Sequence, residues 1–583
     1  MNLRCSPATI GPIIAAILGT ASGLPGAAPA QYRPHEIEFV ATHDHGDPLD
    51  PARSRLTVHF THESGRSMTV RGFWDGARSW RARFQPGLAG RWAWSSLSDE
   101  PADAGLHGRS GDILVQLPPA EAPEQHRHGG ILRVSADGTH LTYADGTPFF
   151  WLADTWWGMP DHRATVVHMA QLIARRQTQG FTVGQMHGHR SLLAPDGPDV
   201  FQLMQSGGEA AIAHWRKTDE YYRLAEERGW HLCVGFYSYV SERKYSLATH
   251  HRLWAYFLAR YGAFPITFLI TQEYNQPFET PGPAGKTLYD PSRTHGPFFT
   301  ALGGWIHGRD PWRRAMTAHS AVRSREKLDA WDKPWYGFAL LQNGHFSRPD
   351  PAYYRSVCAR EPRKPVIEGE MNYEGFSRTN AHPFTVDATA IRVSAYSAIQ
   401  SGCAGYSYGA QGLYAHITDP KRPGPTAKWG PVLTWEQAMT LEGAQHLRHL
   451  STLYRSLPWW RLRPLPKAID GADDALAQTD GASLCLIYFP PAKKPGPEQS
   501  RLLGFADSYA FLTAEWFDPR TGETAIAPSP GWQENGLVLP PRPDARDWVL
   551  ILRRHRLTLT PPKAPAPTIE REYFHRPGKS PKP

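Results

Sequence analysis

The chain has 583 residues, 41% hydrophobic and 20% charged, which excludes a disordered or fibrous protein and leaves room for two to four domains. Its formal net charge of +8 is small for the length, and no Lys/Arg tract stands out, so nucleic-acid binding is not expected. The 21 Trp, 23 Tyr and 24 Phe suit sugar faces, which stack on rings, although large cores use the same residues.

Residues 1–30 read as a secretory signal peptide. Arg4 gives a positive flank, Ile10–Leu24 is apolar and small, and Ala28-Pro29-Ala30 is a small-x-small cleavage site. No later run reaches membrane-spanning length, so stable membrane insertion is not expected and the location is read as secreted or periplasmic. Cys233, Cys358, Cys403 and Cys485 are widely spaced, as buried thiols would be, though one bridge stays open at this point.

Residues 31–117 are expected to form a β-sandwich, with short strands at Arg55–His62, Thr69–Trp74, Ser79–Gln85 and Gly90–Ser95 between turn residues. Trp74, Trp80, Trp92 and Trp94 are expected to fill its core. Residues 118–130 read as a linker. Ile131–Val134 and Leu141–Tyr143 predict a hairpin that caps the bottom of the next domain.

From there to residue 464, short apolar runs alternate with helical patterns, the signature of β/α units. Eight strands are predicted: Phe149–Ala153, Thr182–Gln185, His231–Phe236, Ile266–Ile270, Arg314–Ala318, Tyr336–Leu341, Pro365–Ile367 and Ala404–Tyr408. Helices are expected over Arg163–Gln179, Trp215–Arg228, Leu253–Tyr261, Thr389–Gln400 and Trp435–Leu457. The fold class is therefore α/β, a (β/α)₈ TIM barrel over 131–464 flanked by N-terminal and C-terminal β-sandwich domains. An open doubly wound sheet competes, but no glycine-rich nucleotide loop follows the first strand. Residues 465–583 predict the second sandwich and a tail, with strands at Ala482–Phe489, Ser508–Phe517 and Trp548–Leu552 and a turn at Asp518–Gly522.

Two apolar runs end in acids: Glu273 in PITFLITQEYNQ and Glu370 in KPVIEGEMNYEG. Two carboxylates converging from distant strands are the minimum equipment for cleaving a glycosidic bond. Glu273, after an apolar run that would raise its pKa, is read as the acid/base, and Glu370 as the nucleophile, with Tyr373 donating to it. Glu368 and Glu374 are internal rivals; Glu374 is expected to brace the loop or bind a hydroxyl. Asp154, Trp156 and Trp157 after strand one, His187 and His189 after strand two, and His319, Gln342 and His345 are expected to bind substrate. So are Asn275 and Asn372 beside the two acids, and Tyr406, Tyr408 and Gln411 after strand eight. The histidines lack the spacing of a zinc site, so neither a metal nor another cofactor is expected.

At these residues the chain resembles the apiosidase-like glycoside hydrolases. The likeness runs from about Ile131 to Pro464 through WLADTWW, QGFTVGQ, ARYGAFPITFLITQEYN, RRAMTAH, LQNGH, KPVIEGEMNYEG and GYSYGAQGLY. Residues 31–115 resemble the β-sandwich domain that often precedes such barrels, and the region after Pro458 resembles a small domain labelled collagen-binding. The resemblance implies a retaining hydrolase with acid/base Glu273 and nucleophile Glu370, exo-acting on a plant or bacterial polysaccharide or oligosaccharide, including furanosides. Apiosidases carry Asp on strand four where this chain has Gln272-Glu273. The alternative is a non-catalytic carbohydrate-binding protein on a barrel scaffold; a protease or collagen-adhesion role finds no zinc motif or serine elbow.

Overall fold

The computed structural model describes residues 29–53, 55–188, 190–283, 286–378, 386–422, 424–472, 474–492, 500–502, 511–533 and 536–555. The signal-peptide reading therefore lies outside the described residues, apart from positions 29 and 30, as do His189 and the start of the predicted strand at Ser508.

A (β/α)₈ barrel occupies the middle of the chain. Seven parallel strands pair in one sheet: Trp151–Trp156, Val183–His187, His231–Gly235, Ile266–Phe268, Ala339–Gly344, Val366–Met371 and Gly405–Tyr408. Their order is fourth, third, second, first, eighth, seventh, sixth. The fifth strand is reduced to single pairs, Leu269–Thr317, Met316–Tyr336 and His319–Leu340, which close the ring between strands four and six. Arg314, expected inside that strand, instead ties the barrel floor. Its guanidinium donates to Asp310 and to the carbonyls of Gly262 and Ile266.

Alternation along each strand separates two cores. Trp151, Ala153, Trp157, Val183, Cys233, Leu269, Phe338, Leu340 and Ile367 fill the barrel interior. Leu152, Trp156, Met186, Val234 and Phe268 pack outward on the helices. The predicted hairpin exists as a three-stranded antiparallel piece, Arg133–Val134, Leu141–Thr142 and Pro148–Phe149. It plugs the floor with Leu132, Leu141, Tyr143 and Phe149. Side-chain oxygens that accept from the first-turn N–H groups start the helices, as Thr165 does for Val166–Thr178, Ser246 for Leu247–Tyr261 and Asp387 for Ala388–Gln400.

Trp435–Leu457 is two helices, Trp435–Ala438 and Glu442–Arg455, rather than one. The break has a purpose in hydrogen bonding: the second helix presents its Gly443 N–H to the buried Glu374 carboxylate at 2.8 Å. An antiparallel hairpin, Pro277–Pro281 with Thr287–Thr294, follows strand four and was not legible in the sequence pattern. Residues 118–130 contain a one-turn helix, Glu124–His128.

Ahead of the barrel, sheets of three and four strands face each other, with Phe60 stacked on Phe84 at 4.0 Å across the gap. Trp74, Trp80 and Trp92 are in its core, with Trp94 packed against it. After the barrel come a six-stranded and a four-stranded sheet. In Leu484–Phe489, alternate residues face opposite ways. Cys485, Ile487 and Phe489 join the sandwich core, and Leu484, Leu486 and Tyr488 join the barrel's outer core. The four cysteines named above are free thiols. Among the described residues no helix is long and apolar enough to cross a membrane.

A buried ion network joins the N-terminal sheets to the barrel. Arg83 and Arg260 both grip Asp219, each with a 2.7 Å bond to Oδ2, and Arg83 also reaches Glu36 at 2.7 Å. The two guanidiniums outweigh burial and hold the Asp219 carboxyl far below the usual carboxylate range. Removing one partner of such a cluster leaves uncompensated buried charge. Asp219→Ala is therefore expected to lower stability by about 3–5 kcal/mol, read as an earlier urea or thermal unfolding transition. An unchanged transition would show that the network contributes nothing.

Candidate active site

The C-terminal ends of the barrel strands open into a cleft of about 870 Å³, lined among others by Trp157, His187, Gln272, Glu273, Gln342, His345, Glu370 and Tyr373. This is the end of a barrel where function is placed. Glu370 lies at its centre, 5% exposed. Trp157 Nε1 donates to Oε2 at 3.1 Å, Gln342 Nε2 to Oε1 at 2.9 Å, and Gln272 Nε2 to Oε2 at 3.4 Å. His345 Nε2 is 3.4 Å from Oε1 and His319 Nε2 3.7 Å from Oε2. The Tyr373 hydroxyl is also a hydrogen-bond partner. Burial alone would raise this carboxyl, but the bond from His345, the His319 ring and the Gln342 amide outweigh it and hold the group well below the usual carboxylate range. Burial pushes His319 itself down to about 4, against the opposing pull of the Glu370 carboxylate.

The local sequence explains why Glu370 and not Glu368 enters the cleft. A bulge in the pairing of strands six and seven shifts the register, so that Leu341 faces Glu368 and Gln342 faces Glu370. A bulge re-aims the side chains beyond it. Glu368 therefore stays behind the sheet, taking bonds from Tyr354 Oη at 2.8 Å, from Asn343 and from the Glu370 backbone N–H. Burial drives its carboxyl up to about 7.

Glu273 is on the cleft wall, partly exposed, in the left-handed region at φ 54°. Tyr237 and Phe346, which also line the cleft, share that rare conformation at φ 67° and 57°. Such backbone persists where the surrounding structure enforces it, often at functional sites. Burial first, and then the Glu370 carboxylate opposite, raise the Glu273 carboxyl to about 7, against a hydrogen bond from Gln342.

Of the other residues expected to bind substrate, the structure brings Trp157, His187, Gln342, His345 and Tyr373 to the cleft. Trp157 stacks on His187 at 4.4 Å. His319 is enclosed just behind Glu370, with its ring edge-on to Trp157. The Tyr373 ring is seated against Gly409, where a Cβ would come within 2.3 Å of it.

The rest point elsewhere. Asp154 and Trp156 are one residue out of phase with the lumen and face the helices. Asp154 pairs with buried Arg176 at 2.6 Å, and Trp156 stacks on Trp230. Tyr406 donates to the Met371 carbonyl and Tyr408 to Glu374. Asn275 holds the 321–327 loop through three backbone bonds. Asn372, at φ 48°, bonds Ser347 O and Ser394. Gln411 is buried on Gly412 N and Thr426 O. Glu374 accepts from Tyr408 and from the Gly443 N–H at the start of the barrel's last helix.

Several cleft residues had no signal in the sequence. Tyr239, Glu279 and Tyr289 arrive with the loop after strand three and the unforeseen hairpin, and Arg323, Arg378, Lys428 and Trp429 on long loops. Gln272 and Tyr414 stood inside segments already singled out.

The family model for apiosidase-like catalytic domains matches residues 135–461, and that for a domain of unknown function (DUF5060) matches 29–99. Neither reaches the C-terminal sheets, whose likeness to a collagen-binding domain stands on sequence alone. Among solved structures, one named "Glycoside hydrolase" is 21% identical with a TM-score of 0.59, over 73% of this chain and 97% of its own. A glycoside hydrolase family 5 protein from Bacteroides vulgatus is 20% identical, TM-score 0.60, over 73% and 94%. A further Bacteroides vulgatus protein, described as a candidate glycoside hydrolase, is 17% identical, TM-score 0.65, over 91% and 100%. These likenesses establish the shared fold. No curated protein sequence matches.

Trp157→Phe keeps the stacking surface but removes an N–H donor from Glu370. The Glu370 carboxyl should then titrate at higher pH, moving the acid limb of activity upward while circular dichroism stays unchanged. An unmoved acid limb would show that the indole N–H does not stabilise this charge.

Proposed function

The chain belongs to the apiosidase-like catalytic-domain family and is a glycosidase by class, and from that premise we propose that it cleaves its glycan with retention through Glu370 and Glu273. The observation that carries this reading is the opposite displacement of two carboxyls in one cleft: Glu370 held ionised, Glu273 raised to about 7. Environments that push two acids apart assign a nucleophile and a proton donor.

Retention is drawn from the family resemblance, and the separation of the two carboxyls is the geometric criterion for it. Retaining pairs are separated by about 5–5.5 Å and inverting pairs by about 6.5–9.5 Å. In the first step a Glu370 oxygen bonds to the anomeric carbon. The glycosidic C–O bond breaks with its electron pair on the leaving oxygen, which takes the Glu273 proton. In the second step the Glu273 carboxylate removes a proton from water, whose oxygen displaces Glu370 and restores both acids.

The cleft supplies aromatic faces, including Phe376 and Trp429 stacked at 5.1 Å, for sugar rings. Arg190, Arg323, Arg378 and Lys428 line it too, which suits a glycan carrying carboxylates. Exo action and a furanoside substrate rest on the family resemblance alone; product analysis on defined oligosaccharides separates them from endo cleavage. Export to the periplasm or medium is proposed from the apolar N-terminus.

Glu370→Gln should abolish turnover on any hydrolysed glycan while binding persists. Glu273→Ala should slow natural substrates by about 10²–10⁴-fold and recover with azide or an activated leaving group. Wild-type activity should fall as pH rises through about 7, because the raised Glu273 carboxyl is protonated only below that value. Full activity in Glu370→Gln would overturn the assignment. Glycan binding with no turnover of any substrate by wild type would favour the non-catalytic carbohydrate-binding alternative.

A further inference from the structure

Away from the cleft, the loop after strand His35–Val40 and the turn after strand Gly90–Leu97 bring together His43, His45 and Glu100, whose ligand-type atoms lie within 4.8 Å of one another. His43 Nε2 is 3.0 Å and His45 Nδ1 3.4 Å from the same oxygen, Glu100 Oε2. Ligand atoms about 2.0–2.2 Å from a tetrahedral zinc ion stand roughly 3.3–3.5 Å apart, the spacing of the His45–Glu100 contact, while His43 Nε2 is hydrogen-bonded to the same oxygen.

The protonation pattern points the same way. Asp103 accepts from Thr42 N, Thr42 Oγ1 and Gly105 N at 2.9–3.0 Å, and from His45 Nε2 at 2.8 Å. A carboxylate only accepts, so Nε2 is the donor of that bond and Nδ1 is the nitrogen turned toward Glu100. The His45 side chain is 1% exposed, and its Nδ1 has no hydrogen-bond partner. The contact between that buried nitrogen and Glu100 Oε2 is favourable only with a proton or a metal ion between them. A carboxylate that fixes the far nitrogen of an imidazole is the usual support of a metal-binding histidine. Glu100 Oε1 is engaged separately by Arg55 and, at 3.5 Å, by Arg53, so Oε2 is the oxygen facing the two rings.

We propose that His43 Nε2, His45 Nδ1 and Glu100 Oε2 form a divalent transition-metal site of zinc type, with Asp103 as the orienting carboxylate and solvent as the fourth ligand. Two imidazoles and one carboxylate suit zinc rather than the all-oxygen preference of calcium or magnesium. The site would pin the 42–47 loop to the 98–105 turn. Asp47 at the end of that loop holds Arg252, on the barrel helix Leu247–Tyr261, at 2.5–2.6 Å, so the ion would also steady the join between sandwich and barrel. This inference does not depend on the glycosidase mechanism.

The test uses the untagged full chain at pH 7.5, titrated calorimetrically with zinc chloride and assayed for retained metal after desalting. Wild type should hold one zinc per chain and gain thermal stability from it, with no comparable binding of calcium or magnesium. His43→Ala, at an exposed position that tolerates truncation, and Glu100→Gln should each weaken binding at least tenfold with circular dichroism unchanged. No retained zinc in wild type, equal retention by the folded variants, or stoichiometric calcium or magnesium binding in place of zinc would overturn the proposal.

Discussion

A charge buried in a protein must be solvated by the protein itself, and the Glu370 carboxylate is where this structure meets that demand. At 5% exposure it would be neutral in an apolar pocket. Donors from four regions of the barrel keep it ionised: Trp157 after strand one, Gln272 after strand four, Gln342 and His345 at strand six, and Tyr373 after strand seven. Apart from Tyr373, three residues along the chain from Glu370, none of these contacts is local. Each requires the ring of strands to be closed and in register, so the electrostatics of the cleft are a consequence of the barrel as a whole.

The same ionised group shapes its partner. Glu273 is desolvated by the cleft wall and repelled by the charge opposite, and both effects favour its protonated form. Gln342 lies between them and donates to Glu370. One carboxyl of the cleft thus favours its protonated form and the other its ionised form. A left-handed backbone at Glu273, Tyr237 and Phe346 aims these side chains where an unstrained chain would turn them away.

The flanking sheets are coupled to this core by charge and by packing. Arg83, Arg260 and Asp219 form a buried cluster at the front. At the back, Arg392 of the helix Ala388–Gln400 grips Asp547, and Tyr396 stacks on Tyr488 at 4.7 Å. Such contacts resist relative motion of the modules, because separating them would break buried ion pairs.

Much of this was legible in the chain's order. Apolar runs of strand length ending in polar groups, alternating with helix-length patterns, identified the barrel, its capping hairpin and the two acids at the ends of strands four and seven. The side-chain phase at the strand tips was not legible. Asp154, Trp156, Tyr406 and Tyr408 have the chemistry of sugar ligands but face the helices, since one residue along a strand reverses direction. The reading of a continuous strand at 314–318 failed because that edge is held by single pairs and by Arg314 on the floor. Composition and periodicity report how much of a segment is buried, and so determined the architecture. Only the folded ring decided which of Glu368 and Glu370 enters the cleft and which amides meet it, because a bulge and long-range loops set those contacts, and neither has a local signature.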